Sequence, residues 1–267
     1  MAVSRLVLLL LVPLVLAGSS SSPPVLTPAV AGPYRVEGAR LIDGLGHPYL
    51  VTGTRLAPLT SSDMDNDGSL SATTIVTIRQ RVNMNAVRLP LDAARYLDSD
   101  AYRKRARAVA DLSNHLELLV ILEADSPSPE FWSAIAGNFC DDPNIFFALP
   151  AGATQESVDA IRAAKASQPI VAADLDLKDS NLIAEVSPRY TASADDLDRI
   201  ARIAETRPVL ADAMDPGFFT DSSDCSAFPS DPAGAAAVVE RRLKFLDDHN
   251  ISWTISSFQP GKMISDY

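Results

Sequence analysis

Cysteine and histidine are the scarce residues in this sequence: 267 residues contain two cysteines and three histidines. Two cysteines exclude a disulfide scaffold and a four-cysteine zinc site. Three histidines leave little material for histidine-based metal or nucleophile chemistry. Positive charge is also short, with 23 Lys and Arg against 34 Asp and Glu and a net charge of −11. That balance argues against nucleic acid as a partner, because phosphate recognition needs clustered cations. No glycine-rich strand-to-helix turn is present to cradle a dinucleotide. What remains is an acidic chain, 47% hydrophobic and 21% charged, a composition that folds around a core.

The first residues read as a targeting segment. Arg5 precedes an apolar run over residues 6–16, followed by Ala17, Gly18 and four serines. This is the layout of a cleavable signal peptide, and the run is shorter than the about 20 residues that span a bilayer. The expected organisation is a signal peptide over 1–18, a flexible Ser/Pro/Ala-rich lead-in over 19–33, and one domain over 34–267. The protein is then expected to be secreted or periplasmic, monomeric, and without a membrane partner once the signal is removed.

From residue 34 the pattern alternates between short apolar runs and longer amphipathic stretches. Residues 34–50 read as a β-hairpin turning at Asp43-Gly44-Leu45-Gly46. Eight strands are predicted at 51–59, 86–92, 118–125, 145–149, 170–175, 185–190, 208–214 and 251–258. Apolar residues at helical spacing connect them: Tyr102, Ala106, Val109 and Leu112; Leu197, Ile200 and Ala204; Val239, Leu243 and Leu246. The fifth and sixth strands leave room for about one helical turn at 179–183, with 3.6 residues to a turn. Nearly continuous apolar strands joined by helices predict an α/β fold, a (β/α)₈ barrel of the about 250-residue class. The chain ends at Tyr267, so the last helix of such a barrel is expected to be absent.

Several segments resemble glycoside hydrolase family 5, the cellulase family, in order along the chain. They are Gly53-Thr54-Arg55-Leu56, the run from Val82 to Pro90, Phe131 to Ala136, Asp142 to Leu149, Ile251 to Thr254, Gln259-Pro260-Gly261 and Ile264 to Tyr267. The resemblance implies two catalytic glutamates, an acid/base after the fourth barrel strand and a nucleophile after the seventh. At those places the sequence reads Gly152 and Ala213. The family's strand-3 histidine corresponds to Asp125, its strand-6 region to Pro188-Arg189-Tyr190, and its strand-8 tryptophan to Ser256. Arg88, matching the strand-2 arginine that orients the nucleophile, is retained. The resemblance thus implies a pseudoenzyme retaining carbohydrate binding around Arg88, Asp125, Arg189 and Tyr190. An active hydrolase of β-glucan-type polysaccharides remains as an alternative, using aspartates among Asp92, Asp125, Asp174, Asp176, Asp212 and Asp215. Of these, Asp125 with Asp212 or Asp215 forms the best substitute pair. A non-catalytic scaffold barrel is the third reading.

Other features carry weaker signals. Asp63, Asp65 and Asp67 with Gly68 match the first half of a calcium loop, but Thr74 stands where the bidentate glutamate belongs; the alternative is a polar loop before a helix capped by Ser71. No other cofactor is expected. In a barrel, Cys140 and Cys225 fall at opposite faces, separated by roughly the length of a strand, about 17–20 Å, so two free thiols are predicted. His47, His115 and His249 are assigned structural places at the face away from the strands' C-terminal ends. The loop over 215–231, with Phe218, Phe219 and Phe228, is long enough to cover the barrel mouth, as a ligand-binding lid or as a plug.

Overall fold

The computed structural model describes residues 29–59, 70–187, 194–212 and 232–255. A two-stranded antiparallel hairpin, β1 (Arg35–Glu37) and β2 (Arg40–Ile42), leads into a closed parallel barrel. The barrel strands are β3 (Thr52–Arg55), β4 (Ala86–Leu91), β5 (Leu119–Ala124), β6 (Ile145–Ala148), β7 (Ile170–Ala172), β8 (Leu182–Val186), β9 (Val209–Ala211) and β10 (Ser252–Ile255). Each pairs with the next, and β10 closes the ring on β3. Helices α1 (Ala72–Gln80), α2 (Ala93–Asp98), α3 (Asp100–His115), α4 (Pro129–Phe139), α5 (Gln155–Ala163), α6 (Ala194–Ala204) and α7 (Pro232–Asp248) lie in the connections. This is the (β/α)₈ barrel predicted from the alternating pattern, with its N-terminal hairpin. Among the described residues, no helix is long and apolar enough to cross a membrane.

The helix starts follow from side-chain chemistry. Ser71, Asp92, Ser99 and Ser128 each accept a hydrogen bond from a backbone N–H in the first turn of α1, α2, α3 and α4, satisfying a donor with no intrahelical partner. The apolar stripes then face the strands: Tyr102, Ala106 and Val109 are buried on α3, as are Phe131, Trp132 and Ile135 on α4.

Along the strands, period-two alternation separates two cores. Val87, Leu89, Val120, Leu122 and Phe147 face outward and pack with the helices. Ala86, Leu119, Ile121, Phe146, Ala148, Val171, Ile183 and Leu210 fill the barrel interior and are capped by Tyr34, Leu41 and Tyr49 from the hairpin region. Gly53 is required where β3 meets β4: a Cβ there would lie 2.5 Å from the Ala86 carbonyl oxygen.

The structure corrects three local expectations. The hairpin turns at Gly38-Ala39, where Gly38 adopts φ +59°. The expected turn at Asp43–Gly46 is present as a second one, bringing Ile42 opposite Pro48 in an isolated antiparallel bridge, and is held because the Asp43 carboxylate accepts from the Leu45 and His47 backbone N–H groups. Residues 179–183 do not form a helical turn. Leu182 and Ile183 enter β8, whose apolar residues pair between β7 and β9, while Asp179 stays in the loop, ion-paired with Arg162 at 2.7 Å. The sixth barrel strand accordingly begins three residues before the predicted 185.

Candidate functional site

The same alternation that fills the barrel floor with apolar side chains places a charged layer one step above it. Two residues beyond Ala86 is Arg88; beyond Ile121, Glu123; beyond Ile183, Glu185; beyond Leu210, Asp212. With Arg55 from β3 and Thr254 from β10, these side chains meet at the strands' C-terminal ends, where barrel active sites are built.

The network is tightly connected. Glu123 holds both guanidiniums: its Oε1 lies 2.5 Å from Arg55 Nε, and its Oε2 lies 2.6 Å from Arg88 Nε. Asp212 is engaged on both oxygens. Oδ2 accepts from Arg55 Nη2 at 2.8 Å, and Oδ1 accepts from the Thr254 hydroxyl at 2.8 Å, with Arg88 Nη1 3.3 Å away. Glu185 Oε1 is 2.7 Å from Arg88 Nη1. Arg88 itself is 3% exposed.

Environment divides the carboxylates. Burial alone would raise the Asp212 pKa, but Arg88, Arg55 and the Thr254 hydroxyl together hold it below the ordinary aspartate value. At Glu185 burial dominates: Arg88 pulls its pKa down, Asp212 and Glu123 push it up, and the result is raised. Burial works against the Arg88 charge, yet Glu123, Glu185 and Asp212 outweigh it and keep the guanidinium firmly protonated.

Above this layer opens a cavity of about 770 Å³, reaching from Arg88, Glu185 and Asp212 up to Asp92 and Asp125. Its described lining contains no aromatic side chain. The fourth barrel strand, β6, contributes only Ala148, Leu149, Pro150 and Ala151. Gly152, the sequence counterpart of the family's acid/base glutamate, is exposed beyond them at φ +80°, with open space where a Cβ would be.

Of the sequence-selected residues, Arg88, Asp92, Asp125 and Asp212 line the cavity. Asp125 is exposed at its rim, and Asp92 is occupied as the α2 cap, accepting from the Arg95 N–H. Asp174 and Asp176 are exposed on the loop after β7, where Asp174 accepts from the Asp176 N–H. Arg189, Tyr190, Ala213, Asp215, Ser256, the calcium-type loop with Asp63, Asp65 and Asp67, Cys225 and the 215–231 segment lie outside the described residues. Among the described residues, no cluster of His, Cys, Asp or Glu could hold a metal. Cys140 is half-buried and free. His115 ends α3, and His249 follows α7 with Nδ1 2.8 Å from the Phe245 carbonyl oxygen.

Sequence reading overlooked Glu123, Glu185 and the part played by Arg55. Glu123 and Glu185 are single charges in apolar strands, each two positions beyond an interior residue. That spacing was the available signal.

No protein-family model matches the sequence, and no curated protein sequence matches it. Solved structures do. A β-glucanase from Saccharophagus degradans, in complex with cellotetraose, superimposes with a TM-score of 0.71 at 15% identity, covering 91% of this chain and 92% of that one. A glycoside hydrolase family 5 cellulase from an Icelandic hot spring isolate gives a TM-score of 0.61 at 14% identity, with 89% and 85% covered. An endo-glycoceramidase II from Rhodococcus sp., in a cellobiose-like imidazole complex, gives 0.60 at 11% identity, with 82% and 76% covered. The fold of this chain is therefore that of the family 5 glycoside hydrolases.

Proposed function

We propose that this protein is an exported, monomeric, carbohydrate-binding relative of the family 5 glycosidases that has lost the family's hydrolytic step. The observation carrying this reading is the β6 end. Glycoside hydrolysis needs two carboxylates flanking the scissile bond, one of them to protonate the leaving oxygen. Ala148 to Ala151 bring no titratable side chain into the cavity. The carboxylate at the β9 end, Asp212, has both oxygens engaged by Arg55 and Thr254. Carbohydrate binding is supported by an open cavity with a polar floor in a fold whose Saccharophagus relative was solved with cellotetraose.

A second reading, an active hydrolase with relocated carboxylates, is favoured by one observation. Asp212 and Glu185 have pKa values pushed in opposite directions, the pattern of an acid and its ionised counterpart. Each has an oxygen close to Arg88 Nη1, which keeps those two oxygens within about 6 Å of one another.

Hydrolysis of aryl β-glycosides and mixed-linkage β-glucans separates the two, measured with the wild type and with Asp125→Asn and Asp212→Asn. The binding reading expects no turnover above the uncatalysed rate, together with cello-oligosaccharide binding by calorimetry. Turnover abolished by either substitution would establish the hydrolase.

A further inference from the structure

We propose that residues 30–33 form a latch under the barrel, which closes the interior core from below and sets the limit to which the N-terminal segment can be trimmed by proteases. The proposal is independent of what the cavity binds, and its failure would leave the carbohydrate-binding reading untouched.

These residues end a Ser/Pro/Ala-rich stretch, a composition that by itself predicts a flexible lead-in. In the structure they are bound on both sides. The Ala31 N–H donates to the Tyr34 hydroxyl at 2.9 Å, and the Ala31 carbonyl accepts from the Gly44 N–H. The Gly32 N–H donates to Asn144 Oδ1 at 3.0 Å, a contact between the chain's start and the residue that precedes β6. Val30 packs, partly buried, against the interior cluster that holds Leu119, Ile121 and Phe146. Tyr34, which follows the latch, stands edge-on to Phe146 with ring centroids 5.3 Å apart.

Two glycines make the passage narrow. A Cβ on Gly32 would collide with the Pro143 carbonyl oxygen, and one on Gly44 would lie 2.6 Å from the Gly32 carbonyl oxygen. Neither glycine has a left-handed φ, so closeness of approach, not backbone freedom, is what requires them. The latch is thereby held between the Asp43–Gly46 turn and the loop that opens β6, with a hydrogen bond to each. A protease cuts such a segment only when it opens locally, so the free energy of undocking governs where trimming stops. Asn144 lies at the start of its strand, whereas the cavity opens at the strands' C-terminal ends. The N-terminal segment therefore joins the barrel on the face opposite the cavity.

The test digests the full chain under native conditions with a broad-specificity protease and reads the N-terminus of the surviving barrel by mass spectrometry. The wild type is expected to keep residues 30–33. Gly44→Ala, which sets a methyl group against the latch, is expected to lose them, with cutting inside 30–33 about tenfold faster than in the wild type. Gly137→Ala, the same change in α4 where a Cβ meets open space, is expected to match the wild type. Amide exchange at Gly32 in the wild type is the second measurement, and it stands if Gly44→Ala does not fold. That N–H is expected to exchange about tenfold or more slowly than in an unstructured peptide of the same sequence. A wild-type barrel that survives without residues 30–33, or a Gly32 N–H that exchanges at the peptide rate, overturns the latch. So does a folded Gly44→Ala that keeps these residues as the wild type does, or a Gly137→Ala trimmed as fast as Gly44→Ala.

Discussion

Asp212 is the residue on which the buried network turns. It takes a guanidinium from β3, approaches another from β4 and accepts a hydroxyl from β10, so three strands are tied through one carboxylate on β9. Removing one partner of a buried ion pair leaves the others uncompensated, at about 3–5 kcal/mol. Asp212→Ala is expected to lose about that much stability in urea denaturation, because Arg55 Nη2 and the buried Thr254 hydroxyl then lose their acceptor and Arg88 loses a neighbouring carboxylate. Asp212→Asn, which keeps an acceptor for the Thr254 hydroxyl, is expected to lose less. Equal stability of Asp212→Ala and wild type would show that the arginines find compensation elsewhere. Glu185 behaves oppositely, since its charge is disfavoured by burial, and replacing it with glutamine is expected to stabilise the protein at neutral pH.

At the scale of elements, the hairpin is attached to the barrel through the residue that opens β8. The Asn181 side chain accepts from the Val36 N–H at 2.8 Å and donates to the Ser167 carbonyl at 2.9 Å and the Tyr34 carbonyl at 3.3 Å. Leaving such part-buried groups unpaired costs about 1–3 kcal/mol. Asn181→Ala is expected to destabilise by that order and to speed hydrogen exchange at Val36 ahead of the barrel strands; an unchanged Val36 rate would dissociate the hairpin from this contact. Legibility in the sequence tracked the apolar pattern. β4, β5 and β6 were visible as apolar runs because both faces of a barrel strand are buried. The start of β8 was hidden because Asp179 and Asn181 look like loop residues, and what fixes them is tertiary: Arg162 on α5 for one, the hairpin for the other. The candidate site was legible through Arg88, Asp125 and Asp212, each near the end of a visible strand. Glu123 stayed concealed two residues before Asp125, because a strand's end is easier to read from sequence than which of its faces points into the barrel.

For the whole molecule, the balance of buried carboxylates fixes how stability depends on pH. Asp212 and Asp179 have folded pKa values below the ordinary 3.8. Burial opposes the shift in each; Arg88 and Arg55 overcome it at Asp212, and Arg162 with the Asn181 N–H at Asp179. Their contribution is complete above 3.8 and disappears as pH falls from 3.8 through the lower folded values, because the unfolded chain takes up protons first. Glu185 has a folded pKa above 4.5. Between 4.5 and that higher value the folded protein holds the extra proton, so stability falls as pH rises. Repulsion within a chain of net charge −11 acts in the same direction as its remaining carboxylates ionise. Together these opposing slopes predict a stability maximum on the acidic side of neutrality, close to pH 4.5, in denaturation midpoints measured from pH 3 to pH 8. Glu185→Gln is expected to flatten the decline above the maximum and leave the acid limb untouched, since that limb comes from carboxylates with lowered folded pKa values, Asp212 and Asp179 among them. A variant whose profile declines between pH 5 and pH 8 as steeply as the wild type would remove Glu185 as the source of the slope and leave net charge as its cause.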